Sequence, residues 1–246
     1  MQHIKSDFPK GTIVVAASFL ARYYEFSMSL EGLQVPDGTR LNLARSCDVA
    51  HNFNQGVRKM EGDWVFFMGD DHGFDPHVLL KLLERDKPVI QPLVVSKIAP
   101  WRPCIMHGPY KVGMPVYRWD EIPTKGVWEL PKGDFVGQAG MLVKKEVLDD
   151  IGDPWFLPGQ LEQDRLQEDL YFCQRLQEKG YTIYQDSDQI LSHCGHIEAK
   201  AVRTENGWVP AIKSGDRTLA FPHLVGESDS KLPDVGKGRV LKWKTA

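Results

Sequence analysis

Five consecutive apolar residues, Trp64 to Met68, stop abruptly at Gly69, and Asp70, Asp71 and His72 follow at once. The run is too short for a membrane span and lacks helical spacing, so it reads as a strand buried on both faces. Such strands belong to parallel sheets covered by helices, and ligands on those sheets bind outside the carboxyl ends of the strands. Asp75 then stands where a helix N-cap belongs and Pro76 at the first helical position, while Leu79, Leu82 and Leu83 supply an apolar stripe. The acidic cluster is thereby held between a central strand and a helix.

The flanking sequence extends the α/β pattern. Residues Gly11 to Phe19 read as a first strand, small toward its end, where a ligand could lie. Tyr23 to Gly38 looks irregular, with a turn at Pro36-Asp37-Gly38. Leu41 to Lys59 is predicted as one helix with Arg45 and Asp48 on its polar face. Val89 to Val95 reads as a strand interrupted at Pro92. Ser96 to Lys132, rich in proline, glycine and aromatics from Trp101 to Trp128, reads as an excursion of short antiparallel strands. Phe135 to Val143 reads as a small-centred strand, followed by a helix over Lys144 to Ile151 that Gly152 ends.

Asp164 to Lys179 is predicted as a helix on which Asp169, Phe172, Cys173 and Leu176 share one face. Tyr181 to Asp186 and Gln189 to His193 read as two short strands, and Asn206-Gly207 marks a hairpin. The expected fold is α/β, with a mostly parallel, Rossmann-like central sheet flanked by helices and a small antiparallel portion. Residues 1–196 would form the main domain. Residues 197–246 would be a C-terminal extension packed on it, a hairpin followed by a flexible tail from Gly226.

With 246 residues the chain can bury one sizeable core, and its net charge of −3, without a basic stripe, argues against nucleic acid as a partner. Four cysteines without Cys-x-x-Cys spacing point to a reduced, cytoplasmic setting. Met1 to Lys10 has no continuous apolar segment, so neither secretion nor a membrane span is expected.

Four groups carry chemistry. The carboxylates of Asp70 and Asp71, with the His72 imidazole, suit a divalent cation of manganese type; the same aspartates also suit a turn in which they cap backbone amides. His193, with His196 as alternative, could add a nitrogen ligand at a strand end, or be an ordinary half-buried histidine. Glu168-Asp169 suits a general base, since a carboxylate on a buried face titrates nearer neutrality, or merely favours the positive end of a helix. Gly137-Gln138-Ala139-Gly140 lets a ligand approach the backbone, or marks a bulge.

In this order, Leu43-Ala44-Arg45, Gly62 to His72, Gly137 to Val143, Glu168 to Cys173 and His193-Cys194-Gly195 resemble the motifs of GT-A glycosyltransferases, the family 2-like group in particular, over about residues 11 to 196. The resemblance implies transfer of a sugar from a UDP- or GDP-sugar to a hydroxyl acceptor, with Mn2+, or Mg2+ in its place, on an Asp-x-Asp or Asp-x-His motif. It implies metal ligands among Asp70, Asp71, His72 and His193. Asp169 would be the base, with Glu168 beside it. Ser18, Arg45, Asp48, Asp70, Gly137, Gln138, Ala139 and Gly140 would contact the substrates. The motif departs from the family pattern at Gly69, which takes the first Asp position if Asp71 is the second. A sugar-phosphate nucleotidyltransferase would need a glycine-rich basic loop, which Ala17 to Arg22 lacks. A non-catalytic nucleotide- or carbohydrate-binding module is the other alternative.

Overall fold

A computed structural model describes residues 1–17, 23–46, 48–97, 100–110, 113–157, 167–195, 198–205, 207–214, 217–220 and 239–240. Its main elements, in chain order, begin with β1 (Thr12–Ala17), α1 (Tyr24–Gly32), β2 (Arg40–Arg45), α2 (Val49–Arg58) and β3 (Trp64–Gly69). They continue with α3 (Val78–Glu84), β4 (Val89–Val94), β5 (Leu142–Lys144), α4 (Lys145–Ile151) and α5 (Glu168–Glu178). The last are β6 (Tyr184–His193), β7 (Glu198–Thr204), β8 (Gly207–Ser214) and β9 (Arg217–Ala220).

The main sheet runs β9-β8-β7-β6-β4-β5-β3-β1-β2. Strands β2, β1 and β3 are parallel, as are β4 and β6. Strand β5 is antiparallel to both of its neighbours, and β6 to β9 alternate in direction. The sheet is therefore mixed, which corrects the expectation of a mostly parallel one. Strand β5 enters from a turn at the carboxyl edge, so it runs downward and needs no crossover helix. Being antiparallel on both sides, it leaves β3 and β4 pointing the same way, and the ends of β1, β3, β4 and β6 share one edge.

The apolar run shows why this sheet is central. Val65 and Phe67 enter one layer with Phe53 of α2, Leu148 of α4 and Phe172 of α5. Trp64, Phe66 and Met68 enter the opposite layer with Phe26 of α1 and Leu79 of α3. That alternation is the period of two of a strand covered on both sides. Each such side chain contributes about 1.5–3 kcal/mol when fully buried. Phe53, Phe67, Phe156 and Phe172 form an aromatic cluster, with centroids 4.6 Å apart in the stacked pair Phe156–Phe172.

Several local expectations change. Residues 41–59 are not one helix: Arg40–Arg45 is a strand paired with β1, and α2 starts only after Asp48. Leu41 and Leu43 fit a period of two as well as a helical one, and pairing with β1 decides. Helix α1 occupies part of the stretch that read as irregular, anchored by Phe26 and Leu30 one turn apart. The expected strand over 135–143 is split into Phe135–Val136 and β5 by a turn. Gly140 makes that turn at φ 76°, where a Cβ would lie 2.8 Å from Leu191 and Pro92.

Strand β4 passes unbroken through Pro92, and the irregularity falls on its neighbour β6, between Asp186 and Ile190. The two short strands expected over 181–193 are thus one. Asp75 accepts from His77 N at 2.8 Å just ahead of α3, which starts at Val78. The hairpin forms, with Thr204 opposite Gly207. Asp164, Asn206 and the tail from Gly226 apart from 239–240 lie outside the described residues. In the excursion Trp119 is buried and its indole donates to Trp101 O, while Trp128 donates to Ser187 Oγ, so both pack the fold.

Candidate functional site

At the carboxyl edge the chain leaving β3 does not turn straight down into α3. It first crosses to β6, where His72 and Gly73 pair with His193 and Ser192, and Cys194 N donates to Asp71 O at 2.7 Å. This crossing stacks the His72 and His193 rings, with centroids 4.2 Å apart, beside Asp71. The ligand atoms of Asp71, His72 and His193 lie within 4.8 Å of one another. His72 Nδ1 stands 3.0 Å from Asp71 Oδ1, and His193 Nε2 stands 3.0 Å from Asp71 Oδ2.

The nitrogens test whether a cation fits. His193 Nδ1 lies 3.1 Å from Val95 O, which can only accept, so Nδ1 carries a proton. In the neutral ring Nε2 is then a lone pair facing a carboxylate, an arrangement that a shared cation satisfies. His72 Nε2 is buried without a hydrogen-bond partner, and Nδ1 faces the Asp71 carboxylate. Burial lowers the pKa of this ring, favouring the neutral form that ligates metals. Gly69 keeps the space clear: a Cβ there would lie 2.9 Å from Asp71 Oδ1 and 3.2 Å from His72 Nδ1. The donor set fits a divalent transition ion.

Burial pushes the Asp71 carboxyl upward, but contacts from His193, His72 and Lys97 outweigh it and hold the group well below the usual carboxylate range. The Lys97 ammonium donates to Asp71 Oδ2 at 2.6 Å.

A cavity of about 740 Å³ is lined by this cluster and by Gly137, Gln138, Ala139, Glu168 and Asp169. The first turn of α5 places Asp169 there, and its Oδ1 accepts from Leu170 N at 2.8 Å. Burial, then the charge of Glu168, raises Asp169 from its ordinary 3.8 to about 7. A methyl group built on Gly137 would sit 3.7 Å from Asp169 Oδ2. Gln91 braces the turn over 137–140 by donating to Gly137 O at 2.6 Å and Ala139 O at 2.7 Å. The Gln138 carboxamide oxygen is buried without a partner. Burial pushes the adjoining Cys104 thiol up to about 12, so it is no nucleophile at neutral pH.

Of the residues singled out in the sequence, Asp70, Asp71, His72, Gly137, Gln138, Ala139, Glu168, Asp169 and His193 line this one cavity. Asp70 stands outside the group of three that could hold a metal. Gly140 shapes the turn from behind. Arg45 is exposed at the end of β2, and Asp48 caps α2, accepting from His51 N at 2.6 Å. Ser18 and His196 lie outside the described residues. Gln91, Lys97, Arg102 and Cys104 escaped the sequence reading. Gln91 alone left a trace, as an amide inside an apolar strand.

No family model matches the sequence, and no curated protein does. Among solved structures, GalNAc-T7 with UDP, GalNAc and Mn2+ is similar at a TM-score of 0.50 and 9% identity, over 78% of this chain and 45% of that one. The likeness is one of fold. The chain thus spans less than half of that protein's length. A197 from STIV aligns over 91% of this chain and 98% of that chain, at 16% identity and a TM-score of 0.46, too low to carry an argument. The architecture is a mixed α/β fold compatible with the GT-A fold that the sequence resembles. Among the described residues no helix is long and apolar enough to cross a membrane.

Proposed function

We propose that the protein is a metal-dependent glycosyltransferase that moves a sugar from a nucleoside-diphosphate sugar to a hydroxyl acceptor. One observation carries the reading: a group of Asp71, His72 and His193 suited to a cation shares a single cavity with Asp169 at the carboxyl edge of the sheet. The fold likeness to a protein solved with UDP, GalNAc and Mn2+ supports it. The cavity size is that of a small-molecule site.

Asp71, His72 and His193 would hold the ion, and two imidazoles beside one carboxylate favour Mn2+ over Mg2+. The ion would supply Lewis-acid stabilisation of the departing nucleoside diphosphate. Asp169 takes the acceptor's hydroxyl proton as the new bond to the anomeric carbon forms and the bond to the diphosphate breaks. A carboxylate titrating near neutrality is basic enough for that step and still ionised in a large fraction of molecules. Burial keeps it so, and the charge of Glu168 adds to the proton affinity of its neighbour. The turn over 137–140, braced by Gln91, presents backbone and the Gln138 amide to the sugar.

Calorimetric titration with UDP and with GDP, each with Mn2+, with Mg2+ and with chelator, tests the reading. Mn2+-dependent binding of one nucleotide, lost in Asp71→Ala and weakened in His193→Ala, is the expected result. No binding of either nucleotide under any condition would reject it.

A further inference from the structure

Lys97 lies just beyond β4, next to Ser96, which lines the cavity. Its Nζ sits 2.6 Å from Asp71 Oδ2, the oxygen that also faces His193 Nε2 at 3.0 Å. That oxygen is the atom through which Asp71 and His193 would share a cation. An ammonium pressed against it and a divalent ion bound to it are competitors, because each draws on the same negative charge and each repels the other.

The rest of the side chain allows an exchange. Lys97 is 44% exposed, whereas Asp71 is 19% and His193 15% exposed, so the lysine is the partner that can leave. Its stem is unbranched and its three donors rotate freely. The two histidines are fixed by their stacking and by Val95 O. Once displaced, the ammonium swings about a backbone position beside the cavity, where a diphosphate held by the same metal would present its oxygens.

We propose, resting on the metal-site reading above, that Lys97 is an internal counter-cation. It competes with the divalent ion for Asp71, and when displaced it pairs with the diphosphate of the bound nucleotide. Two demands follow from one residue: removing its charge strengthens metal binding and weakens nucleotide binding. A lysine that merely supported the loop would not move these two affinities in opposite directions.

The test is Lys97→Met, which keeps the length and loses the charge, compared with Lys97→Arg and wild type. Mn2+ binding to the nucleotide-free protein is measured first by calorimetry, then UDP binding at saturating Mn2+. An exposed ion pair of ordinary strength is worth up to roughly a fivefold change, so Lys97→Met should bind Mn2+ about fivefold more tightly. Loss of a charged hydrogen bond to phosphate should weaken its UDP binding by about tenfold or more. Lys97→Arg should restore most of the UDP affinity. If wild type binds Mn2+ and Lys97→Met binds it equally or less tightly, or if UDP affinity is unchanged, the role given to Lys97 is overturned while the metal site stands. If wild type binds no Mn2+, and Asp71→Ala is indistinguishable from it, the metal site and this role fall together.

Discussion

Asp71 and Asp169 line one cavity from two different elements, which treat them in opposite ways. On the strand wall Asp71 is met by two imidazoles and an ammonium, and its charge is reinforced. On the helix wall Asp169 has a backbone amide and an acidic neighbour, and its charge is opposed. The residue type is the same, and so is the cavity. What differs is which partners the fold delivers, and that separates a group fit to stay ionised and hold a cation from one fit to gain and lose a proton.

The most severe way to break this contrast is to remove the strand-wall carboxylate. Asp71→Ala should lower Mn2+-dependent nucleotide binding by at least about 100-fold, since even changes to groups behind a metal ligand cost about 10–100-fold. Calorimetry reads this directly, and retained binding would show that the cation does not rest on Asp71. On the other wall, Asp169→Asn should lower transfer by about 10²–10⁴-fold while leaving nucleotide affinity within twofold. Transfer that survives the substitution would take the base role from Asp169.

The same contrast extends to pH. Transfer should rise as pH passes through about 7, where Asp169 loses its proton, and Asp169→Asn should flatten that limb. Stability moves the other way. Asp169 titrates higher folded than unfolded, so its contribution is fully present below about pH 4 and is lost as pH rises through about 7. Asp169→Asn should therefore melt above wild type at pH 8, by about 2–4 °C. Equal melting temperatures at pH 8 would show that the carboxyl is not strained there.

Smaller effects probe the scaffold of each wall. Gly140→Ala puts a Cβ at a positive φ against Pro92 and Leu191, and should cost about 1–3 kcal/mol in denaturant unfolding. Its effect should fall on transfer more than on Mn2+ binding, because the turn belongs to the helix wall. Asp48→Ala should cost about 1 kcal/mol through the lost cap of α2, with nucleotide affinity unchanged. A loss of nucleotide binding in that variant would place Asp48 among the substrate contacts, as its motif implies.

The sequence alone determined the strand from Trp64 to Gly69, the abrupt polar stop after it, the amphipathic α5 and the antiparallel pairing of β7 with β8. Each is encoded within one short segment, by a run, a period or a turn residue. It also marked the chemistry-bearing side chains of both walls, because aspartates beside a histidine at a strand end, and an acid at the top of an apolar helix face, are unusual locally. Only the tertiary structure decided which of them meet. His72 and His193 are far apart in sequence and are joined by a two-residue pairing that no local pattern announces. Asp71 rather than Asp70 joins them, at the turn residue whose backbone oxygen accepts from Cys194 N. Leu41 and Leu43 suited helix and strand alike until β1 offered a ladder, and Lys97 and Gln91 carry no motif at all. Their roles come from hydrogen bonds across the sheet, set by the strand order of the whole fold.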